Sequence, residues 1–391
     1  MPHNSVIQDA QEYLVRRGLP GWLVYDYRHS NPIFPQVVSA SGHVTRPCFL
    51  YVPKAGAARL LVHHVDAGKF SDAGVELVVY DSRRSFVESL EQTLSGVSSV
   101  AMEYSPLNAL PRVSRVDAGT VELVRSLGVE VVSSADLMQY ATQRWSPAQL
   151  EGHVRSAMRL GQIVDEAFQY IGEHLADAPT EFDVAEFIRR RFAEEGLEAA
   201  DGPIVATNVH SSDPHYEPMP QGSSIIQVGD WVLIDLWARE ITADSVYADI
   251  TWVAYVGGSL PQRHREIFDI VTGGRDVALR YLEESYRQGI EVQGWQVDAE
   301  ARRYIADHGY GEYFTHRLGH SISYEVHGEA VNLDGFETQD TRHIIPGIGF
   351  SIEPGIYLPE FGVRSEIDVF MSEEGPYVSS PVQREVVLIR G

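Results

Sequence analysis

Between residues 21 and 135, short apolar runs alternate with stretches of helical spacing. Trp22–Tyr25, Cys48–Val52, Arg59–His63, Leu77–Tyr80 and Val100–Met102 are apolar runs bounded by turn residues, the signature of short strands. Ser85–Leu94 and Arg115–Leu127 carry their apolar positions at helical spacing. This stretch reads as an α/β domain. It gathers no His, Asp and Glu in an arrangement suited to catalysis, and His63 and His64 read as surface or core histidines rather than ligands. A structural or substrate-gating role is therefore assigned to it.

The pattern changes at Ser146-Pro147-Ala148-Gln149. Serine can cap a helix, proline fits its first position, and a glutamine three residues after the serine can reach back to close a capping box. A long helix should run from there to about Glu173 and a second from Glu181 to Glu195, followed after a loop by apolar strands Trp231–Trp237 and Asp249–Val256. The order then recurs: helices Gln262–Gln288 and Val297–His308, the latter stopped by Gly309, then strands around Phe350–Tyr357 and Val363–Met371. Residue identities do not repeat, so only the order of elements is duplicated. Two α+β halves facing each other across a shared sheet are expected, with a site between them that draws ligands from both.

Composition narrows what that site can be. A chain of 391 residues exceeds what one core usually supports, and two domains, residues 1–145 and 146–391, are the working division. The formal charge of -24, with no run of Lys or Arg to interrupt it, excludes a nucleic-acid groove. Cys48 is the sole cysteine, so an internal disulfide and multi-cysteine zinc sites are excluded, and any metal must use His, Asp and Glu. No apolar run approaches the ~18 residues of a membrane span, and Met1–Ala10 lacks the charged and apolar regions of a signal peptide, so a cytoplasmic protein is expected.

The second half supplies such residues at strand ends. Asp235 lies inside Val232-Leu233-Ile234-Asp235-Leu236-Trp237, a run apolar enough to be buried on both faces. A carboxylate there costs several kcal/mol unless it is paired, hydrogen-bonded or bound to metal. Asp249 opens the next apolar strand, and Glu353 ends another just before Pro354-Gly355 turns the chain. Arg364 and Glu366, two apart on a strand, share a face, so Arg364 can hold a nearby acidic ligand. His316-Arg317-Leu318-Gly319-His320 adds imidazoles, with His327 seven residues beyond His320. Singly, each of these is ordinarily a cap, a strand edge, a core histidine or a salt bridge. The conjunction of four carboxylates and a histidine suits a pair of divalent ions such as manganese, cobalt, iron or zinc, with carboxylates bridging them.

With these residues the chain resembles the pita-bread metallopeptidases, the family of prolidase, aminopeptidase P and methionine aminopeptidase, together with creatinase. The most specific stretches are Gly229-Asp230-Trp231-Val232-Leu233-Ile234-Asp235, Tyr247-Ala248-Asp249-Ile250-Thr251, His316-Arg317-Leu318-Gly319-His320, Ile352-Glu353-Pro354-Gly355-Ile356-Tyr357 and Gly362-Val363-Arg364-Ser365-Glu366. The resemblance implies an α+β pita-bread catalytic domain of two pseudo-symmetric halves, preceded by a smaller creatinase-like α/β domain that gates substrate and serves dimerisation. It implies that Asp235 chelates one metal, that Asp249 and Glu366 bridge two, and that His320 and Glu353 bind the other, with manganese the first choice. It also implies that Glu353 shuttles the proton of an attacking metal-bridging hydroxide, that His215 handles the scissile amide and that His327 contacts the substrate carbonyl. His316 and Arg364 would support the ligands from behind.

The implied activity is cleavage of the Xaa-Pro bond of dipeptides or short peptides by a homodimer. Two other readings stand beside it: hydrolysis of a small non-peptide amide, as in creatinase or ectoine hydrolases, and a peptide-binding homologue without catalysis. The sequence departs from the family pattern at Trp252, Ser321, Ser323 and Gly328, which bears on substrate fit. Asp235 and Asp249 are fourteen apart where eleven is usual, which implies a longer hairpin turn through Arg239–Ser245, with Asp244 as an outside alternative to Asp249. Where prolidases commonly place an arginine for the substrate carboxylate, this chain has Gln339, with Arg342 and His343 close by.

Overall fold

The computed structural model describes the backbone from residue 2 to 391 and the side chains from residue 5. The chain divides into two compact units, Met1–Arg144 and Trp145–Gly391. The first holds strands β1 (Gly21–Asp26), β2 (Cys48–Pro53), β3 (Arg59–His63), β4 (Glu76–Tyr80), β5 (Ser99–Met102) and β6 (Glu130–Ser133) in one sheet of order β4-β3-β2-β1-β5-β6. β2 pairs antiparallel with both neighbours, and the other pairs are parallel. Helices α1 (Pro2–Arg17), α2 (Phe34–Val37), α3 (Arg83–Thr93), α4 (Ala118–Ser126) and α5 (Ala135–Thr142) accompany it.

Alternate side chains of these strands explain the core. Leu23, Tyr25, Phe49, Tyr51, Val100 and Met102 bury one face of the sheet against Phe86 and Leu90 of α3 and Val121 and Val124 of α4. Elements α1, α2, α5 and β6 add to those the apolar pattern marks; β6 is four residues with Glu and Ser at its ends, too short to show a period. Glu103, just past β5, is buried and accepts hydrogen bonds from Trp22 Nε1 (2.7 Å), Asn31 Nδ2 (2.9 Å) and Ser134 Oγ (3.0 Å).

The second unit begins with α6 (Pro147–His174), whose Ser146–Gln149 capping box forms as expected, and α7 (Glu181–Glu194). Strands β7 (Leu197–Glu198), β8 (Ile204–Thr207), β9 (Trp231–Glu240) and β10 (Ala248–Val256) come next, then α8 (Gln262–Arg287) and α9 (Gly294–Asp307). The chain closes with β11 (Ser321–Ile322), β12 (Gly349–Ile352), β13 (Gly355–Tyr357), β14 (Gly362–Arg364), β15 (Ile367–Ser372), β16 (Gly375–Val378) and β17 (Val387–Ile389). One sheet runs β17-β10-β9-β7 with β8 also on β9, a second runs β11-β12-β15-β16, and β13–β14 form a hairpin.

The helix, helix, hairpin order thus recurs in space. α6 and α7 cover the first sheet through Leu160, Val164, Val184 and Ile188, while Ile267, Val271, Val297 and Ala301 of α8 and α9 pack with Phe350, Ile352 and Val369 of the second. The two halves are joined where the Asp249 N–H donates to Asp368 Oδ2 (3.0 Å) and the Glu366 N–H to the Thr251 carbonyl (3.3 Å).

The strands expected as Phe350–Tyr357 and Val363–Met371 each break in two, and the breaks fall at Glu353-Pro354 and Ser365-Glu366. Pro354 has no N–H to give a ladder, and each break frees a carboxylate to turn inward. Among the described residues, no helix is long and apolar enough to cross a membrane.

Candidate metal centre

β9 and β10 form the longest ladder of the unit, with Asp235 opposite Thr251 and Asp249 opposite Trp237. Directly opposed residues share a face, so Asp235, Asp249 and Thr251 point the same way as direct or diagonal neighbours. Both aspartates are buried. The turn lies at residues 241–247 rather than starting at Arg239, which is still in β9. Asp244 sits exposed in that turn, away from the ladder face that carries Asp249. Trp252 falls on the opposite face and packs with the core under α6 and α7.

The other half brings the remaining ligand candidates. His320 precedes β11, and its Nδ1–H donates to the Ser321 carbonyl at 3.1 Å, so Nε2 carries the lone pair. That Nε2 lies 3.5 Å from Asp249 Oδ2 and 3.4 Å from Glu353 Oε1. Asp249, His320 and Glu366 each offer a ligand atom within 4.8 Å of the others. Ser351 Oγ accepts the His320 N–H (3.0 Å) and donates to Glu353 Oε1 (3.2 Å), tying the two ligand-bearing segments together. Gly319 is required here, because a Cβ would stand 2.0 Å from the Ser351 carbonyl oxygen.

Behind the acids runs a chain of buried hydrogen bonds. Arg364 donates through Nη2 to Asp235 Oδ2, through Nε to Thr251 Oγ1 (3.0 Å) and through Nη1 to Tyr357 Oη (3.0 Å). Thr251 Oγ1 donates to Glu366 Oε2 (2.7 Å). The Tyr357 hydroxyl in turn donates to His316 Nε2 (2.8 Å), whose Nδ1–H donates to the Arg317 carbonyl (2.6 Å). Burial, reinforced by the Arg364 charge, pushes the His316 imidazole down to about 3, so it is neutral and acts as an acceptor. Burial pushes the Tyr357 phenol up to about 12.

The donor set fits divalent cations. Asp235 Oδ1, Asp249 Oδ1 and Glu366 Oε1 are buried with no hydrogen-bond partner. Such oxygens are costly unless something positive meets them. Burial, then the neighbouring carboxylates, hold the Asp249 and Glu366 carboxyls well above the usual range. Burial raises Glu353 to about 7, with Arg364 pulling the other way.

Two groups escaped the sequence reading. Asp368 is buried, accepts the Asp249 N–H through Oδ2, and lies 3.7 Å from Nε2 of the buried His153, while its Oδ1 has no partner. Its signal was an acidic residue between Ile367 and Val369 in an apolar strand. Glu181, the first residue of α7, is buried and accepts from Thr207 N (2.7 Å), Thr207 Oγ1 (2.7 Å), His210 Nδ1 (2.9 Å), Tyr216 Oη (2.6 Å) and Ser224 N (2.8 Å). It anchors the 207–224 segment, which also docks on the β13–β14 hairpin through Ser211 Oγ, acceptor of the Gly362 N–H at 2.8 Å.

The histidines expected to meet substrate differ in placement. His327 is exposed and its ring stands edge-on to His320 at 4.3 Å between centroids. His215 is exposed on the Glu181-anchored segment, its N–H donating to Asp213 Oδ1 at 3.0 Å. The departures Ser321, Ser323 and Gly328 form one exchange: a Cβ at 328 would lie 2.7 Å from Ser321 Oγ and 2.9 Å from Ser323 Cβ. The serines occupy the space that the glycine leaves. Arg342 is buried and bound to Asp340 and to the Glu329 carbonyl (2.7 Å), and His343 lies 4.0 Å from Glu291.

The sequence profile of metallopeptidase family M24 matches residues 156–373. The "Probable dipeptidase PepE" of Mycobacterium tuberculosis is 27% identical over 295 residues, covering 75% of this chain and 73% of that protein. The "Xaa-Pro dipeptidase" of Pyrococcus horikoshii is 31% identical over 239 residues, 61% of this chain and 63% of the relative. Among solved structures, dipeptidase PepE from Mycobacterium ulcerans matches with a TM-score of 0.71 at 23% identity, covering 100% of this chain and 98% of that one. Prolidase from Thermococcus sibiricus matches with a TM-score of 0.66 at 22% identity, covering 99% of both chains. The α+β pita-bread fold with a preceding α/β domain is the fold of this chain.

Proposed function

The chain belongs to metallopeptidase family M24, and from that premise we propose that it hydrolyses the Xaa-Pro bond of dipeptides or short peptides with two divalent metal ions held by Asp235, Asp249, His320, Glu353 and Glu366. The observation that carries this reading is the set of three buried, partnerless carboxylate oxygens on Asp235, Asp249 and Glu366 beside His320, whose Nε2 lies 3.5 Å from Asp249 Oδ2 and 3.4 Å from Glu353 Oε1. The four ligand carboxylates meet the Arg364 guanidinium through Asp235 and Glu353, and the surplus of acid suits divalent cations. The names of the curated relatives support the peptide substrate and its proline.

When bound, such a pair lowers the pKa of a bound water and polarises a carbonyl oxygen. The chain's own residues do the rest. Asp249 feels Glu366, Asp235 and Glu353, and Glu366 feels Glu353 and Asp235, so both would hold metal in the company of the other acids. Arg364, locked by Tyr357 and Thr251, fixes the Asp235 carboxylate and leaves its Oδ1 to a metal. Glu353, steadied by Ser351 Oγ, would pass a proton, and His327, whose ring stands against His320, would donate to the oxygen where negative charge develops. The family resemblance supports manganese, a homodimer and a cytoplasmic location.

The test is to strip the protein with chelator, restore manganese, cobalt or zinc singly, and assay Xaa-Pro dipeptides beside Xaa-Pro-Xaa tripeptides and non-proline dipeptides. Metal-dependent cleavage confined to Xaa-Pro bonds, with two ions per chain by elemental analysis, is expected. Absence of metal-dependent cleavage of every peptide would falsify the proposal.

A further inference from the structure

Trp237 lies on the face that carries the acids, and no ligand role falls to it. Residues 233, 235, 237 and 239 of β9 share that face. Leu233 is buried in the core under α8 and α9, and Asp235 is a ligand candidate. Trp237 stands directly across the ladder from Asp249, where opposed Cβ atoms are about 5 Å apart. Arg239 closes the face: it donates through Nε to Glu198 Oε1 (3.0 Å) and through Nη1 to the Tyr324 carbonyl (3.0 Å), and its guanidinium lies 5.2 Å from the Tyr247 ring centroid. Trp237 is therefore the residue of β9 between the acids and the surface, and it is half-buried.

Its ring is held in place. Continued from the Ile204–Asp235 pair, the β8–β9 register sets Gly202 on the other side of Trp237, and a Cβ at 202 would stand 2.5 Å from Trp237 Cζ2. Glycine, at a φ of +73°, leaves that space to the indole. The Nε1–H donates to Asp201 Oδ1 at 3.1 Å, so the one polar atom of the side chain is engaged. The ring also packs against the cluster of Tyr247, Ile322 and Phe370, and Val326, the neighbour of His327, packs there too. A fixed indole with its N–H engaged offers a ligand in the cleft an apolar, aromatic wall.

We infer that Trp237 is a specificity-determining residue: its ring takes the side chain of the substrate's first residue, the one before the scissile bond, and favours an aromatic or large aliphatic side chain there over alanine. The inference rests on the proposed peptidase function and names the kind of first residue that the same site accepts. Charge assigns the end of the peptide. A free amine is cationic and is drawn to the side of the cleft where Asp235 and Asp249 stand and the exposed Asp201 holds the indole. The residue that bears this amine is the one whose side chain meets Trp237.

The experiment measures kcat/KM of metal-loaded protein on Phe-Pro, Leu-Pro and Ala-Pro and, by calorimetry, its binding of L-phenylalanine and L-alanine. The parent is expected to prefer Phe-Pro and Leu-Pro over Ala-Pro, and phenylalanine over alanine, on the order of 10-fold, the worth of a side chain buried against an indole. Trp237→Ala should bring both ratios to within about 2-fold of one, chiefly through KM, with metal content by elemental analysis at the parent's level. Trp237→Phe, which keeps an aromatic ring and loses the bond to Asp201, should retain most of the preference. A parent without preference for the larger side chain, a parent that binds neither amino acid, or a Trp237→Ala variant with equal losses on all the peptides overturns the assignment. A parent that cleaves no peptide overturns the peptidase reading instead, while the phenylalanine-to-alanine binding ratio, and its collapse or survival in Trp237→Ala, still decides Trp237.

Discussion

In the unit Met1–Arg144, Glu103 is buried and its carboxylate is met by Trp22, Asn31 and Ser134; in the unit Trp145–Gly391, Asp235, Asp249 and Glu366 are buried too but leave three oxygens unmet and face one another. Burial opposes ionisation in both places. What differs is what the fold supplies against that cost. Around Glu103 it supplies neutral donors from three segments, so the acid is part of the scaffold. Around Asp249 it supplies more acid, and the compensating charge must come from outside the chain. A buried carboxylate is thus structural or functional according to whether its oxygens are already spoken for.

The strongest way to break that contrast is to remove one crowded acid. Asp249→Asn and Glu366→Gln are expected to lower metal-dependent hydrolysis by at least ~1,000-fold, several kcal/mol of transition-state stabilisation. The same variants should raise the melting temperature of chelated protein, because each relieves like-charge crowding in a desolvated site. Rates and calorimetry on one preparation check both signs; a variant that loses activity and also melts lower when metal-free would show these acids to be structural.

Glu103→Gln should do the reverse. Its amide NH2 would face donors rather than acceptors, and a cost of about 2–4 kcal/mol is expected, with metal content and KM unchanged. Denaturant titration gives the first number and elemental analysis the second.

The crowded acids also set a pH dependence that metal should reverse. Glu353, ordinarily near 4.5, is raised to about 7 by burial, and Asp249 and Glu366 shift the same way. The folded, metal-free state therefore keeps protons that the unfolded chain has released, and the Glu353 share of this stability is full below about 4.5 and lost as pH rises through about 7. The net charge of -24 adds to the decline. Metal requires the deprotonated ligands, so metal-induced stabilisation should grow over the same range. A melting temperature of chelated protein that climbs from pH 5 to 8 would contradict this.

Much of this was legible before any coordinates, for physical reasons that differ by element. The capping box at Ser146–Gln149 and the ladder of β9 and β10 are local, and local chemistry is written in adjacent residues. The five ligand candidates stood out because acids inside apolar runs need a reason. Glu181 and Asp368 did not, since the partners named above are 26 to 215 residues distant and no period marks such pairs. Nor could spacing show that Trp252 faces the far side of β10, that Arg342 is bound to Asp340, or that Gly328 makes room for two serines. Those facts depend on which segments meet.

Glu181 sharpens the comparison most finely, because it lies in the same unit as the crowded acids yet is satisfied as Glu103 is. If satisfaction rather than location decides the role, Glu181→Gln should leave metal content alone and act on the 207–224 segment. A glutamine can keep one oxygen for the Thr207 N–H and hydroxyl, while its NH2 would confront the Ser224 N–H, a donor that cannot reverse, and the Tyr216 hydroxyl and His210 Nδ1, which can. One lost bond to a charged acceptor with two rearranged sets the expected destabilisation at about 1–2 kcal/mol. Because His215 rides on that segment, KM should rise several-fold more than kcat falls, and limited proteolysis should find new cleavage within 208–224. Loss of metal from this variant would place Glu181 with the crowded acids and undo the distinction.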